Sequence, residues 1–367
     1  MTGKEILADL MAEDNFNSWM RLLKRDDVKN YILSLDPDQI FRGDMKFIRN
    51  CIRKKIKFEH INLMLPYTED TREIILEAFL KRYYDQDVEL VLKSGLEDFK
   101  IEKLCELVEN EKTKELIPVL KKDFSLLQVY EIYSGVIDSL DIKQIKLYAK
   151  PDMTVPSMKK IRTLLKEKYP LNKIKLLAND KLHYHTIDKL YYLVKKGMPY
   201  EELKVLANPD CSIYAIDAMI DCFEKGMKLD EVKELAHLEY YQILGMLHAY
   251  VLKYPAWFKE YCKDIRYSKE QFEQIWRAYT HGIEQSKIEI MANPEYSYEV
   301  MKMFLNCFKA NYTDEQINLL VSIAKNTDKF TEVGVAIFNG ESEDHIKEII
   351  DTVSKTAKSQ LLDRLLA

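Results

Sequence analysis

Four segments of this chain, IKLYAKPD, IKLLANDK, LKVLANPD and VKELAHLE, superpose with their alanines Ala149, Ala178, Ala207 and Ala236 spaced 29 residues apart each time. A motif recurring at a fixed short interval builds one supersecondary unit repeatedly, so no other feature restricts the fold as strongly. The register extends with small slips through Leu65, Leu92 and Leu120 on one side and Cys262, Ala292, Val321 and Ile350 on the other. Two further columns test it. Four residues before each anchor stand Ile61, Val88, Leu116, Ile145, Ile174, Leu203, Val232, Phe258, Ile288, Ile317 and Ile346. Thirteen before stand Ile52, Phe79, Leu107, Val136, Leu165, Val194, Phe223, Ala249, Tyr279, Phe308 and Ile337. Every member of both columns is hydrophobic or aromatic in a chain that is only 47% hydrophobic, which excludes coincidence as an economical explanation.

Within a unit the apolar residues recur at three and four, the period of a helix. Met158, Ile161, Leu164 and Leu165 mark a first helix, and Ile174, Leu177 and Ala178 a second. Between the two helices stand Gly197, Gly226, Gly282 and Gly340, with Asn110 and Asn311 in two other units. Glycine, and next asparagine, tolerate the left-handed conformation that closes a helix C-terminus. Thr313 with Gln316 has capping-box spacing, and Ser342 is a good N-cap for the helix carrying Ile346. After the anchors, Pro151, Pro209 and Pro294 stop the second helix, because proline restricts the residue before it.

The expected architecture is therefore all-α: a right- or left-handed superhelical αα-solenoid of about eleven two-helix units with helical caps. Residues 1–40 read as an N-terminal cap containing Trp19, 41–352 as the array with an irregular unit at about 237–265, and 353–367 as a C-terminal capping helix. A length of 367 residues is beyond the usual reach of one spherical core, which fits an elongated array. On these columns the chain resembles the broad class of αα-solenoids, which includes the TPR, HEAT, armadillo and pentatricopeptide arrays. The likeness spans about residues 41–352 and is one of architecture, since the period is shorter than the roughly 34 of TPR and the W-x-x-L-G signature is absent. What the class implies is scaffolding or recognition.

Sixty acids against 55 bases give a net charge of −5 with no polybasic tail, which speaks against bulk attraction to nucleic acid or anionic membrane. The six cysteines are scattered without zinc-like spacing and read as reduced, which suits a cytoplasmic protein. The opening MTGKEILADLMAEDN lacks the pattern of a signal peptide, and no stretch approaches a membrane span.

The most distinctive polar feature is a lysine column one residue after the buried position of the second helix: Lys146, Lys175, Lys204, Lys233 and Lys259, with Lys347 later. It offers repeated positive charge to an acidic peptide or a phosphate backbone, although Glu201, Glu202, Asp230 and Glu231 stand close to it. The step from Ala236 to Cys262 shrinks to 26 and the next is 30; here Pro255 separates two helices and Tyr254 and Trp257 are expected to be exposed as aromatic anchors. His183 and His185 form an H-x-H in a loop, and Arg49–Lys57 (RNCIRKKIK) is a basic helix edge. There is no P-loop, G-x-G-x-x-G, G-x-S-x-G or H-E-x-x-H, so no catalytic residue, metal site or cofactor is assigned. The reading is a non-enzymatic adaptor or inhibitor that recognises a protein through a concave surface. The alternatives are a nucleic-acid binder using the lysines, and an enzyme whose site is assembled from residues distant in sequence.

Overall fold

The computed structural model describes residues 16–36, 42–81, 83–342 and 344–350, and all regular structure among them is α-helical, with no strand. They form two compact units, one ending at Leu203 and the other starting at Lys204. The expected C-terminal capping helix at 353–367 and residues 1–15 and 37–40 of the expected N-terminal cap lie outside the described residues.

The first unit opens with Phe16–Leu22 and Asp26–Ser34, where Trp19 is 1% exposed and Val28 and Ile32 are fully buried. Longer and shorter helices then alternate: Arg42–Arg53, Phe58–Met64, Glu69–Leu80, Asp85–Leu92, Asp98–Glu106, Thr113–Leu120, Leu126–Ile137, Ile142–Tyr148, Val155–Lys166, Leu171–Leu177 and Tyr184–Lys195. The division between the units falls within Tyr200–Leu206. The second unit continues the alternation through Ile213–Glu224, Leu229–Leu235, Tyr240–Val251, Ala256–Lys263, Lys269–Thr280, Gln285–Met291, Tyr298–Lys309, Asp314–Ile323 and Thr327–Phe338.

Neighbours in sequence are neighbours in space within each unit. Val155–Lys166 packs on the long helices Leu126–Ile137 and Tyr184–Lys195 and on the short helices Ile142–Tyr148 and Leu171–Leu177. In the second unit Lys269–Thr280 packs in the same way on Tyr240–Val251, Tyr298–Lys309, Ala256–Lys263 and Gln285–Met291. The residue column from Ile61 to Ile346 lies in these seams, buried at every position. Each such side chain contributes about 1.5–3 kcal/mol relative to exposure, which a lone hairpin has no surface to realise. The anchor column is less uniform. Ala149, Ala178, Ala236 and Ala292 are the C-caps of short helices, Ala207 and Ala292 are only half-buried, and Val321 is exposed inside Asp314–Ile323.

The joint after most of the long helices keeps one geometry with different residues. Gly197 has φ +87°, and the Met198 N–H reaches back to the Leu193 carbonyl at 3.0 Å, closing a Schellman motif. Gly226, Gly282 and Gly340 do the same, and so do Ser139, Lys168, Lys253 and Asn311, all at positive φ. Asn110 does not; its φ is not positive, and its side chain accepts the Lys112 N–H at 3.0 Å.

The irregular unit is also placed differently from its sequence reading. Long helices begin 29 residues apart from Leu126 to Ile213 and from Tyr240 to Thr327, with one step of 27 between them. The two missing residues come from the short stop between Leu235 and the N-cap Glu239. Cys262 consequently shares the place of Leu235 and Met291, one residue before the anchor position.

Seven buried polar residues, Thr71, Lys100, Gln128, Ser157, Thr186, Gln242 and Gln271, stand third after the N-cap of a long helix. Gln128 shows why a polar group belongs there. Its Oε1 accepts the Ser125 N–H at 2.8 Å, while its Nε2 donates to the carbonyls of Pro151 and Met153, both at 2.8 Å. Gln271 repeats this with Ser268, Pro294 and Tyr296. One amide thus closes a capping box and satisfies carbonyls of the next stop loop, which would otherwise be buried without partners.

Candidate functional site

The short helices carry the lysine column. Lys146 and Lys175 in the first unit and Lys204 and Lys233 in the second are exposed, each five residues after the N-cap position of its helix in the register set by Asp141, Pro170 and Lys228. Lys146, Lys175 and Lys204 have no ion-pair partner among the described residues, and Lys233 meets Asp230 at 3.4 Å. Lys204 and Lys233 flank a shallow groove of about 330 Å³ that Asn208 and Pro209 complete. Lys259 does not continue the column. Counted from the N-cap Pro255, Glu260 takes the place of Lys233, and Lys259 is half-buried one residue earlier. The loop shortening explains the slip, because the apolar pattern alone tolerates a shift of one residue.

Four long-helix cations behave differently. Lys160 pairs with Asp188, Lys195 with Glu167 at 3.0 Å, and Lys166 with Asp138 at 2.6 Å. Arg162 spans Glu131 at 2.9 Å and Asp138. These bonds bridge consecutive long helices, so their charge is spent on the fold. What they leave is uneven. Residues 142–175 hold ten lysines and arginines against two acids, Asp152 and Glu167, in a chain that is acidic overall. Five of those lysines, Lys143, Lys146, Lys159, Lys168 and Lys175, are exposed and have no ion-pair partner among the described residues. The helices Ile142–Tyr148 and Leu171–Leu177 contain no acid. A running count of charge would have found this stretch; the balanced total concealed it.

Tyr254 and Trp257 are half-buried rather than projecting. Tyr254 lies 4.4 Å from Tyr279 and 5.3 Å from Phe258, and Trp257 lies 5.6 Å from Tyr279, ring centre to ring centre. Trp276 joins the cluster through His248 at 4.9 Å and Phe258 at 6.2 Å. Both anchor residues are engaged in packing this part of the second unit.

His183 is the N-cap of Tyr184–Lys195, its Nδ1 accepting the His185 N–H at 3.4 Å, so the H-x-H belongs to a helix start rather than a loop. Among the described residues no group of three His, Cys, Asp or Glu is placed to hold a metal ion. The basic edge at Arg49–Lys57 borders a cleft of about 510 Å³ lined also by Arg72, Glu69 and Glu73. Arg72 is committed there to Asp44 and the Leu65 carbonyl. Burial pushes the thiols of Cys51, Cys105, Cys222 and Cys262 up to about 12, well away from nucleophilic reactivity. Among the described residues no helix is long and apolar enough to cross a membrane.

In comparisons with known proteins, no protein family and no curated protein sequence matches the chain.

Proposed function

We propose that the chain is a non-enzymatic binding protein whose hairpins stack as an αα-solenoid of about eleven units, and whose short helices present a surface to a protein partner. One contrast carries the reading: Lys160, Arg162, Lys166 and Lys195 on the long helices are consumed by ion pairs between hairpins, while Lys146, Lys175 and Lys204 on the short helices are exposed and unengaged. A surface charge held ready costs the fold little and gives a partner long-range steering. Packing between sequence neighbours supports the stacking, because each hairpin covers the apolar side of the next. The protein would act in the cytoplasm as an adaptor or as an inhibitor that occludes its target.

A second reading, nucleic-acid binding through the same lysines, draws on the absence of acids from Ile142–Tyr148 and Leu171–Leu177. Capture from a cell extract at about physiological salt separates the two. A retained protein that survives nuclease, and is lost when Lys146, Lys175, Lys204 and Lys233 are changed to Glu, supports a protein partner. Retention that nuclease abolishes transfers the function to nucleic acid, and no retention at all overturns both.

A further inference from the structure

We infer that the stretch 142–175 is a docking surface for an acidic, carboxylate-rich segment of a partner protein; this rests on the binding-protein reading above and specifies the chemistry of the partner. The stretch carries ten basic residues and two acids, and Glu167, one of those acids, is held by Lys195 at 3.0 Å. Its cations divide by role, with Lys150 engaged by Asp180 and the Ala178 carbonyl and Lys173 by the Met198 carbonyl. Arg162, Lys160 and Lys166 are bound by carboxylates of neighbouring long helices and hold the unit together. Lys143, Lys146, Lys159, Lys168 and Lys175 are exposed without an ion pair among the described residues.

The arrangement selects among anions. A small anion needs converging donors, whereas these lysines are spread over two short helices, a long helix and a turn. A single nucleic-acid strand gains affinity from stacking on open aromatic rings. The aromatics of this stretch are Tyr148, fully buried, and Tyr169, half-buried, so the stretch itself offers no open ring. Arginine, which grips phosphate bidentately, is represented only by the engaged Arg162. Flexible lysines at separated points match carboxylates spaced along an extended acidic peptide.

The test uses the full chain and a fluorescein-labelled peptide of alternating Glu and Ser, followed by anisotropy across a salt series, beside single-stranded and duplex DNA of similar length. The peptide is expected to bind, with affinity falling as salt rises. Changing Lys143, Lys146 and Lys175 together to Glu is expected to weaken it by about tenfold or more, the sum of three screened contacts reversed in sign. A control with the same change in net charge, Lys225, Lys302 and Lys309 to Glu in the second unit, should move it less than about twofold. Matching helical circular dichroism and melting temperature establish that both variants fold. Peptide affinity that responds equally to both triples overturns the proposal, as does DNA bound more tightly than peptide and lost with the first triple. A peptide that does not bind while a nuclease-resistant partner is still captured overturns this inference and leaves the binding-protein reading standing.

Discussion

Val155–Lys166 in the first unit and Lys269–Thr280 in the second are twelve-residue helices with the same packing partners, yet their eighth residues are Arg162 and Trp276. Both side chains are half-buried and both reach the preceding long helix. Arg162 does so through Glu131 and Asp138, and Trp276 through His248 and an aromatic cluster. One backbone geometry thus accepts an ionic clamp or an aromatic one. The apolar columns settle where the helices sit, and this position is free to be chosen for other reasons. In the first unit that choice collects charge around the basic stretch; in the second it absorbs the aromatics that would otherwise have been exposed.

The largest expected effect breaks the ionic clamp. Glu131, Asp138 and Arg162 have side-chain exposures of 14%, 9% and 16%, so Arg162→Met strands Glu131 in a poorly solvated seam and leaves Asp138 to Lys166 alone. A cost of about 3–5 kcal/mol follows from removing one partner of a buried ion pair. Trp276→Ala should cost about 3 kcal/mol, the low end for a large aromatic, because part of the ring stays open. Hydrogen exchange resolved by peptide reads the two units separately: Arg162→Met should raise exchange over 126–166 and leave 240–280 unchanged, and Trp276→Ala the reverse. Spread of either effect into the other unit would show that the two clamps are not local.

Acid sharpens the same comparison. Burial pushes the Asp138 carboxyl up, but hydrogen bonds from Lys166 and Arg162 outweigh it and hold the group below the usual carboxylate range. A carboxyl whose pKa is lower folded than unfolded stabilises the fold above its unfolded value of about 3.9 and loses that contribution as pH falls through the folded value. Protection over 126–166 should therefore decline below about pH 4, and Arg162→Met should flatten that decline. An acid response identical in the variant would mean that other carboxylates, not Asp138, set it.

A smaller effect tests close approach. A Cβ on Gly135 would overlap the hydroxyl of Tyr148, a ring fully buried with its O–H donating to the Glu131 carbonyl at 3.3 Å. Gly135→Ala should cost about 1–3 kcal/mol by overpacking, less the roughly 1 kcal/mol that alanine returns in a helix. In the second unit a Cβ on Gly245 meets the edge of Phe272, 2.6 Å away at Cζ, and the Cys262 sulfur at 3.3 Å, and the Phe272 ring has no hydrogen bond to fix it. Gly245→Ala should be milder, and Tyr148→Phe should recover part of the Gly135→Ala loss. Equal melting shifts for the two alanine variants would remove the distinction between a pinned ring and a movable one.

Much of this fold was legible because burial repeats. The column from Ile61 to Ile346 needs only hydrophobicity at a fixed interval, and the Thr313–Gln316 capping box needs only two residue types three apart. What escaped reading was chemistry that the residue type does not advertise. A buried amide such as Gln128 looks like surface until its carbonyl partners are known. Lys259 looked like a rung because the compensating shift left Phe258 and Cys262 buried a turn apart. The basic stretch was hidden by averaging, since acids elsewhere cancel it.

The smallest expected effects concern Lys168 and Lys253, which hold φ +60° and +54° at the turn where Gly197 and Gly226 stand elsewhere. A left-handed conformation costs a side chain about 1–2 kcal/mol that glycine does not bear. Glycine also frees the unfolded chain, giving back about 0.4–1 kcal/mol. Lys168→Gly and Lys253→Gly should therefore each stabilise the chain by about 0.5–1 kcal/mol, seen as a raised unfolding midpoint in denaturant. The strain is the same in both units, but its use should differ. Lys168 belongs to the unpaired lysines of the basic stretch and Lys253 borders the aromatic cluster. Lys168→Gly should weaken the acidic peptide while stabilising the fold, and Lys253→Gly should stabilise without touching binding. Loss of peptide affinity in both, or in neither, would show that the lysine at this turn answers to something other than the charge of its own unit.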